Sequence, residues 1–134
     1  MFCNAPITAG ARVVITEGRQ ASNGNAIMAT GTPLTRIPLT ILVNQHTASS
    51  SEILAGALKD NCRATLVGDR TYGKGLIQSV YELSDRSGLV LTVARYKTPA
   101  MVDIDREGIQ PDFRQMPEPE VAAARLKACI VPVL

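Results

Sequence analysis

Three consecutive segments constrain this chain more than any other feature. "IPLTILVN" (37–44) is a continuous apolar, β-rich run bounded by polar residues, the pattern of a buried strand. "SSSEILAGALKDN" (49–61) follows and reads as a helix, with Ile53, Leu54, Ala57 and Leu58 on one face. "ATLVGD" (64–69) is a second short buried strand. Strand, helix and strand within about 30 residues predict a βαβ unit: two parallel strands joined by a right-handed crossover. The fold class is therefore α/β.

The flanks are β-rich. "ARVVITEG" (11–18) reads as a strand, and "RQASNGNA" contains Asn-Gly, the strongest short hairpin signal. "AIMAT" (26–30) is its expected partner. "LIQSVYEL" (76–83) and "GLVLTVARY" (88–96) read as two strands joined by the polar turn "SDRS". "EPEVAAARLKA" (118–128) predicts a final helix with Pro119 in its first turn, and the tail "CIVPVL" is apolar enough to need covering. At 134 residues and 46% hydrophobic, the chain supports one modest packed domain and excludes wholesale disorder. Its dispersed charges, net +2, point to neither nucleic acid nor an anionic membrane. No run is long enough for a transmembrane segment, and "MFCNAPITAG" lacks the basic-then-apolar profile of a targeting segment. Cys3, Cys62 and Cys129 are odd in number and widely spaced, so they read as small apolar residues rather than a disulfide framework or a metal site.

The chemistry concentrates in two blocks. In "NQHTASSSE" (44–52), Ser49 and Glu52 fit the capping box S-x-x-E, in which the serine accepts a backbone N–H and the glutamate reaches back. The same position also suits a nucleophile. A strand end followed by a helix start exposes a side chain and aims free backbone N–H groups at whatever it attacks. A serine hydroxyl needs a base. His46 is three residues away on the same turn, a poor direction of approach. Lys74, in "GDRTYGKG" (68–75), is the other candidate. This block nearly spells a phosphate loop, with Gly68, Gly73 and Lys74 in register. Position 75 is glycine rather than a hydroxyl residue, however, and a β-like segment follows where that loop needs a helix. On its own the block reads as a glycine turn with an exposed lysine.

Taken together, "LTILVNQHTASSSEILAGALKDNCRATLVGDRTYGKGLIQSVYEL" resembles the catalytic core of the carboxyl-terminal processing peptidases, also called tail-specific proteases. "LTVARYKTP" and "GIQPD" (108–112) match the family's next landmarks in order, so the resemblance covers about residues 38 to 113. It implies a ClpP/crotonase-like core, a mixed sheet with a crossover helix, of which this chain holds the C-terminal half. Residues 1–36 would be a partial, poorly matched N-terminal part, 37–113 the catalytic segment and 114–134 a C-terminal helix and tail. It makes Ser49 the nucleophile and Lys74 the general base. Gln78 would orient the amine, sharing a strand face with Lys74 if 74–78 is extended. Ser50 would give an oxyanion-hole N–H, and Glu52 would be a supporting residue. Neither metal nor cofactor is needed, and the partner is a protein substrate's C-terminus. The wording is closest to the photosynthetic branch, which trims the photosystem II reaction-centre precursor in the thylakoid lumen; a bacterial periplasm is the alternative compartment.

The sequence departs from that family in four respects. Residues 1–43 show no match to the glycine-rich segment Asp-Leu-Arg-x-Asn-x-Gly-Gly that supplies a second oxyanion donor, and no stretch of these 134 residues reads as a PDZ domain or a targeting segment. Met101 replaces a glycine frequent in the family, outside the catalytic set. A truncated peptidase is the first expectation, and a catalytically inactive remnant acting as a binding or structural module is the alternative. A lysine near its reference pKa of about 10.4 is protonated, so a base at this position needs burial to favour the neutral amine.

Overall fold

The computed structural model describes residues 7, 9–19 and 24–132. The elements run β1 (Arg12–Gly18), β2 (Asn25–Met28), β3 (Leu39–Val43), α1 (Ser50–Asp60), β4 (Ala64–Gly68), β5 (Leu76–Glu82), β6 (Gly88–Lys97) and α2 (Pro119–Ala128). The expected βαβ unit is present: β3 and β4 pair in parallel, Leu39 opposite Ala64 through Val43 opposite Gly68, with α1 as the crossover. The remaining strands form a second sheet, antiparallel throughout, in the order β2-β1-β6-β5. The α/β class therefore holds, with parallel and antiparallel pairing divided between two sheets. The two hairpins are local, but the β1–β6 seam, Ile15 opposite Lys97, joins segments some 80 residues apart. The Asn-Gly turn lies largely outside the described residues. No helix among the described residues is long and apolar enough to cross a membrane.

α1 lies between the two sheets, packing on β1 and on β4. That placement changes its buried face. Glu52, Ala55, Gly56 and Ala57 are buried, whereas Leu54 is exposed and Ile53 and Leu58 are only partly covered. The amphipathic face expected from Ile53, Leu54, Ala57 and Leu58 is thus rotated. The cause is close approach: a Cβ on Gly56 would stand 3.1 Å from both Ile109 Cδ1 and Thr98 Cγ2, so only small side chains fit there.

β4 is buried along most of its length, but β3 alternates, with Leu42 70% exposed. β4 has neighbours on both edges and helices against it, since Phe113 bridges Val67 beyond it and α2 packs on it. β3 is bonded along one edge only, among the described residues. Val43, Ala55, Leu66 and Ile109 form the central cluster, with Ile41 against it.

α2 forms as expected, with Pro119 at its start. Leu126 is buried, and Arg125 pairs with Asp112 at 2.8 Å while Asp112 also accepts the Leu66 N–H. A disulfide joins Cys62 to Cys129 across 67 residues, Cα to Cα 5.5 Å. This corrects the reading of Cys62 and Cys129 as small apolar residues; Cys3 lies outside the described residues. Their wide sequence spacing is uninformative once the α1–β4 turn and the α2 end are folded together. Ile130 and Val131 beyond it are exposed, so the tail is not covered there. Met101 has φ 65°, the left-handed region that favours glycine, and closes a turn through its N–H to the Thr98 carbonyl.

Candidate active site

The site begins where β3 ends. Asn44 and Thr47 close a tight turn: the Thr47 N–H donates to the Asn44 carbonyl, the Asn44 N–H to Thr47 Oγ1, and the His46 N–H to Asn44 Oδ1. The His46 ring is exposed and faces Gln45, so it stands as a surface side chain of the turn. The chain then reaches Ser49 with φ 56° and ψ −120°. Such a backbone costs a non-glycine residue of order 1–3 kcal/mol and persists only where surrounding structure enforces it. It is the strained strand-to-helix elbow that holds a serine hydroxyl out at a sheet edge.

Glu52 supplies that enforcement. Its side chain is fully buried in the first turn of α1. Glu52 Oε2 accepts the Ser49 N–H at 2.9 Å and the Lys74 N–H at 2.9 Å; Oε1 accepts the Gly73 N–H at 2.7 Å and the Thr71 hydroxyl at 2.5 Å. Four donors fill the four lone-pair positions of one carboxylate, the condition under which a buried charge is tolerated. Ser49 and Glu52 take the capping-box arrangement. The Glu52 N–H also donates to the Ser49 carbonyl at 2.8 Å, as the helix start requires.

The serine turn and the lysine block therefore meet on one oxygen. Two 2.9 Å bonds to Oε2 keep the Ser49 and Lys74 nitrogens within about 6 Å of each other. A second tie runs from the Tyr72 N–H to the Thr47 carbonyl at 2.9 Å. The glycines of this block are required by packing. A Cβ on Gly75 would overlap the Asp105 amide nitrogen, and Gly73 takes φ 86° against Arg106 and Gly108. Because the Gly73 and Lys74 N–H groups are spent on Glu52, and β5 rather than a helix follows, the loop has no nest left for phosphate.

Ser50, first residue of α1, is exposed, and no described residue accepts its N–H. That donor lies beside the Ser49 side chain at a helix N-terminus. The Lys74 and Gln78 side chains are exposed, and among the described residues neither bonds the other or Ser49. The burial expected around Lys74 is thus not provided by these residues. The Glu52 carboxylate joins the two blocks through their backbone N–H groups, and no hydrogen bond among the described residues links the Lys74, Ser49 and Gln78 side chains. Thr71, 4% exposed, escaped the sequence reading. A threonine two residues before Gly73 looks like turn polarity until its partner on α1 is known.

The model of peptidase family S41 matches residues 3–115. This chain belongs to that family. Among its S41 relatives, carboxyl-terminal-processing peptidase 1, chloroplastic, of Arabidopsis thaliana is 50% identical over 122 residues, 91% of this chain and 25% of that protein. The carboxyl-terminal-processing protease of Synechocystis is 57% identical over 100 residues, 75% of this chain and 23% of that one. The photosystem II D1 C-terminal processing protease superposes with a TM-score of 0.74 at 41% identity, covering 93% of this chain and 33% of its own. The chain thus spans about a quarter of the length of the curated relatives it matches.

Proposed function

We propose that this chain carries the serine and lysine of a peptidase that cleaves the C-terminal tails of proteins. Ser49 is the nucleophile and Lys74 the general base. The observation that carries the reading is the single Glu52 oxygen holding both the Ser49 and the Lys74 backbone. The strained Ser49 backbone and the unengaged Ser50 N–H support it. The neutral Lys74 amine takes the Ser49 proton as Oγ attacks the scissile carbonyl carbon. The Ser50 N–H donates to the oxyanion. The Lys74 ammonium then protonates the departing amine, leaving an acyl-enzyme that water hydrolyses. Gln78, on β5 just past the lysine, orients the amine once substrate closes over the site.

The relatives' names, carboxyl-terminal-processing in both and chloroplastic in the Arabidopsis one, favour C-terminal tails as substrates and a chloroplast as the compartment, within which the thylakoid lumen is our reading. The Cys62–Cys129 disulfide fits an oxidising space of that kind. An inactive remnant is the second reading, favoured by one observation: the Lys74 and Gln78 side chains are exposed and, among the described residues, bond neither each other nor Ser49. Labelling by an activated phosphonate, mapped by mass spectrometry, separates the two. A peptidase site labels at Ser49, faster as pH rises and the neutral amine grows, and loses labelling in Lys74→Ala. A folded chain that does not label supports the remnant.

A further inference from the structure

Glu52 is held by four donors, and three of them are backbone N–H groups that any sequence would present. The fourth is a side chain, and its geometry fixes the direction of a proton. Thr71 Oγ1 accepts the Ile109 N–H at 2.7 Å. The hydroxyl's one hydrogen therefore goes to its other partner, Glu52 Oε1 at 2.5 Å. Thr71 and Ile109 are also joined by the Thr71 N–H to the Ile109 carbonyl at 3.2 Å. The neighbouring Gly108 lies so close that a Cβ there would overlap the Thr71 carbonyl oxygen. Ile109 belongs to the central apolar cluster with Val43, Ala55 and Leu66. A line of bonds thus runs from the core, through the Ile109 amide and the Thr71 hydroxyl, to the carboxylate that sets Ser49 against Lys74.

Without that hydroxyl, Oε1 keeps only the Gly73 N–H, and the carboxylate gains freedom to rotate. Rotation moves Oε2, and Oε2 is what holds the Ser49 and Lys74 nitrogens together. We propose that Thr71 is a positioning residue for peptide cleavage: its hydroxyl locks the Glu52 carboxylate in the one orientation that sets the Ser49 elbow against the Lys74 loop. It touches no substrate. The proposal rests on Ser49 and Lys74 being the nucleophile and the base.

The test compares Thr71→Val, Thr71→Ser and Ser49→Ala in the full-length protein, on a peptide carrying a cleavable C-terminal tail. Active sites are counted by phosphonate titration, so that kcat is expressed per titrated site. Thr71→Val, nearly the same shape without the donor, is expected to lose about ten- to hundredfold in kcat per site with KM within about twofold. Thr71→Ser, which restores the hydroxyl, is expected to recover most of that loss. A merely structural threonine gives a different result: fewer titratable sites, each with unchanged kcat, and this outcome overturns the proposal. So does a Thr71→Ser variant as impaired as Thr71→Val, which would place the effect in the methyl group. If Thr71→Val does not fold, Thr71→Cys decides, since a thiol keeps the volume but is a weak donor: an intermediate kcat per site supports the proposal and a wild-type kcat per site overturns it. Activity surviving in Ser49→Ala sinks the reading of the site itself. A dead Ser49→Ala beside a fully active Thr71→Val sinks only the role of Thr71.

Discussion

The β3–α1–β4 unit and the β5–β6 hairpin meet at Gly75, yet they are held by different physics. The hairpin is a backbone ladder between neighbours in sequence, Leu76 opposite Arg95 to Glu82 opposite Gly88, with one irregularity after Ile77. Its apolar residues Val80, Tyr81, Leu89, Val90 and Leu91 are all exposed. The βαβ unit instead closes around a buried charge whose donors come from residues 49, 71, 73 and 74. Order in the hairpin is local and tolerant of side-chain change. Order at the site depends on one carboxylate that no neighbour in sequence could replace.

Glu52→Ala is the sharpest way to break that contrast. It strands four donors that are buried or partly buried, and each such orphan costs on the order of 1–3 kcal/mol, so a loss of roughly 3–5 kcal/mol is expected after partial relaxation. Urea denaturation measures it, and a loss below about 1 kcal/mol would mean that the carboxylate does not organise this unit. Next in size is Cys129→Ser, or reduction of the disulfide, expected to cost about 2–4 kcal/mol by freeing a 67-residue separation in the unfolded chain. Non-reducing mass spectrometry checks the bond and thermal melting its weight. An identical Tm with and without dithiol reductant would show that Arg125, Asp112 and Leu126 hold α2 unaided.

Substitutions in the hairpin should do far less. Val80→Thr keeps a β-branched side chain on an exposed strand face and is expected to stay within about 0.5 kcal/mol. A loss as large as that of Glu52→Ala would erase the distinction between the two regions. The smallest effect is electrostatic. Burial alone would raise the Asp103 pKa, but the hydrogen bond from Arg95 at 2.9 Å and the Asp105 N–H outweigh it and leave the carboxyl below its usual value. A depressed carboxylate pKa contributes stability above its unfolded value, near 4, and that stability is lost as pH falls through the lower folded value. Asp103→Asn should therefore lower the Tm slightly at pH 7 and leave it unchanged once both forms are protonated in strong acid. An equal deficit at both pH values would point to a neutral hydrogen bond instead.

The element pattern was largely legible because its signals are local. Apolar runs, the S-x-x-E start and Pro119 predicted β3, α1, β4, β5, β6 and α2 close to where they lie. The errors concern what comes to lie against an element. α1 turns Ala55, Gly56 and Ala57 inward instead of Leu54, because it is packed tightly between two sheets. β3 is half exposed, because the core cluster covers the face carrying Ile41 and Val43 and leaves Leu42 on the open face. The cysteine pair is invisible at a separation of 67 residues.

The candidate site divides the same way. Sequence alone determined that a serine stands at a strand-to-helix turn, with a glutamate three residues on and a lysine between glycines 25 residues later, since these depend on order and spacing along the chain. It gave Glu52 as a helix cap and, by resemblance, a supporting residue of unstated role, and assigned Thr71 no role. Only the tertiary structure decided that one buried carboxylate binds both blocks, that Thr71 anchors it to the core through Ile109, and that the Lys74 side chain stays open to solvent. A hydrogen bond between residues 19 or 22 apart leaves no periodic trace in a sequence. It exists because folding brings the end of β4 back across the first turn of α1, where an unpaired carboxylate could not remain buried.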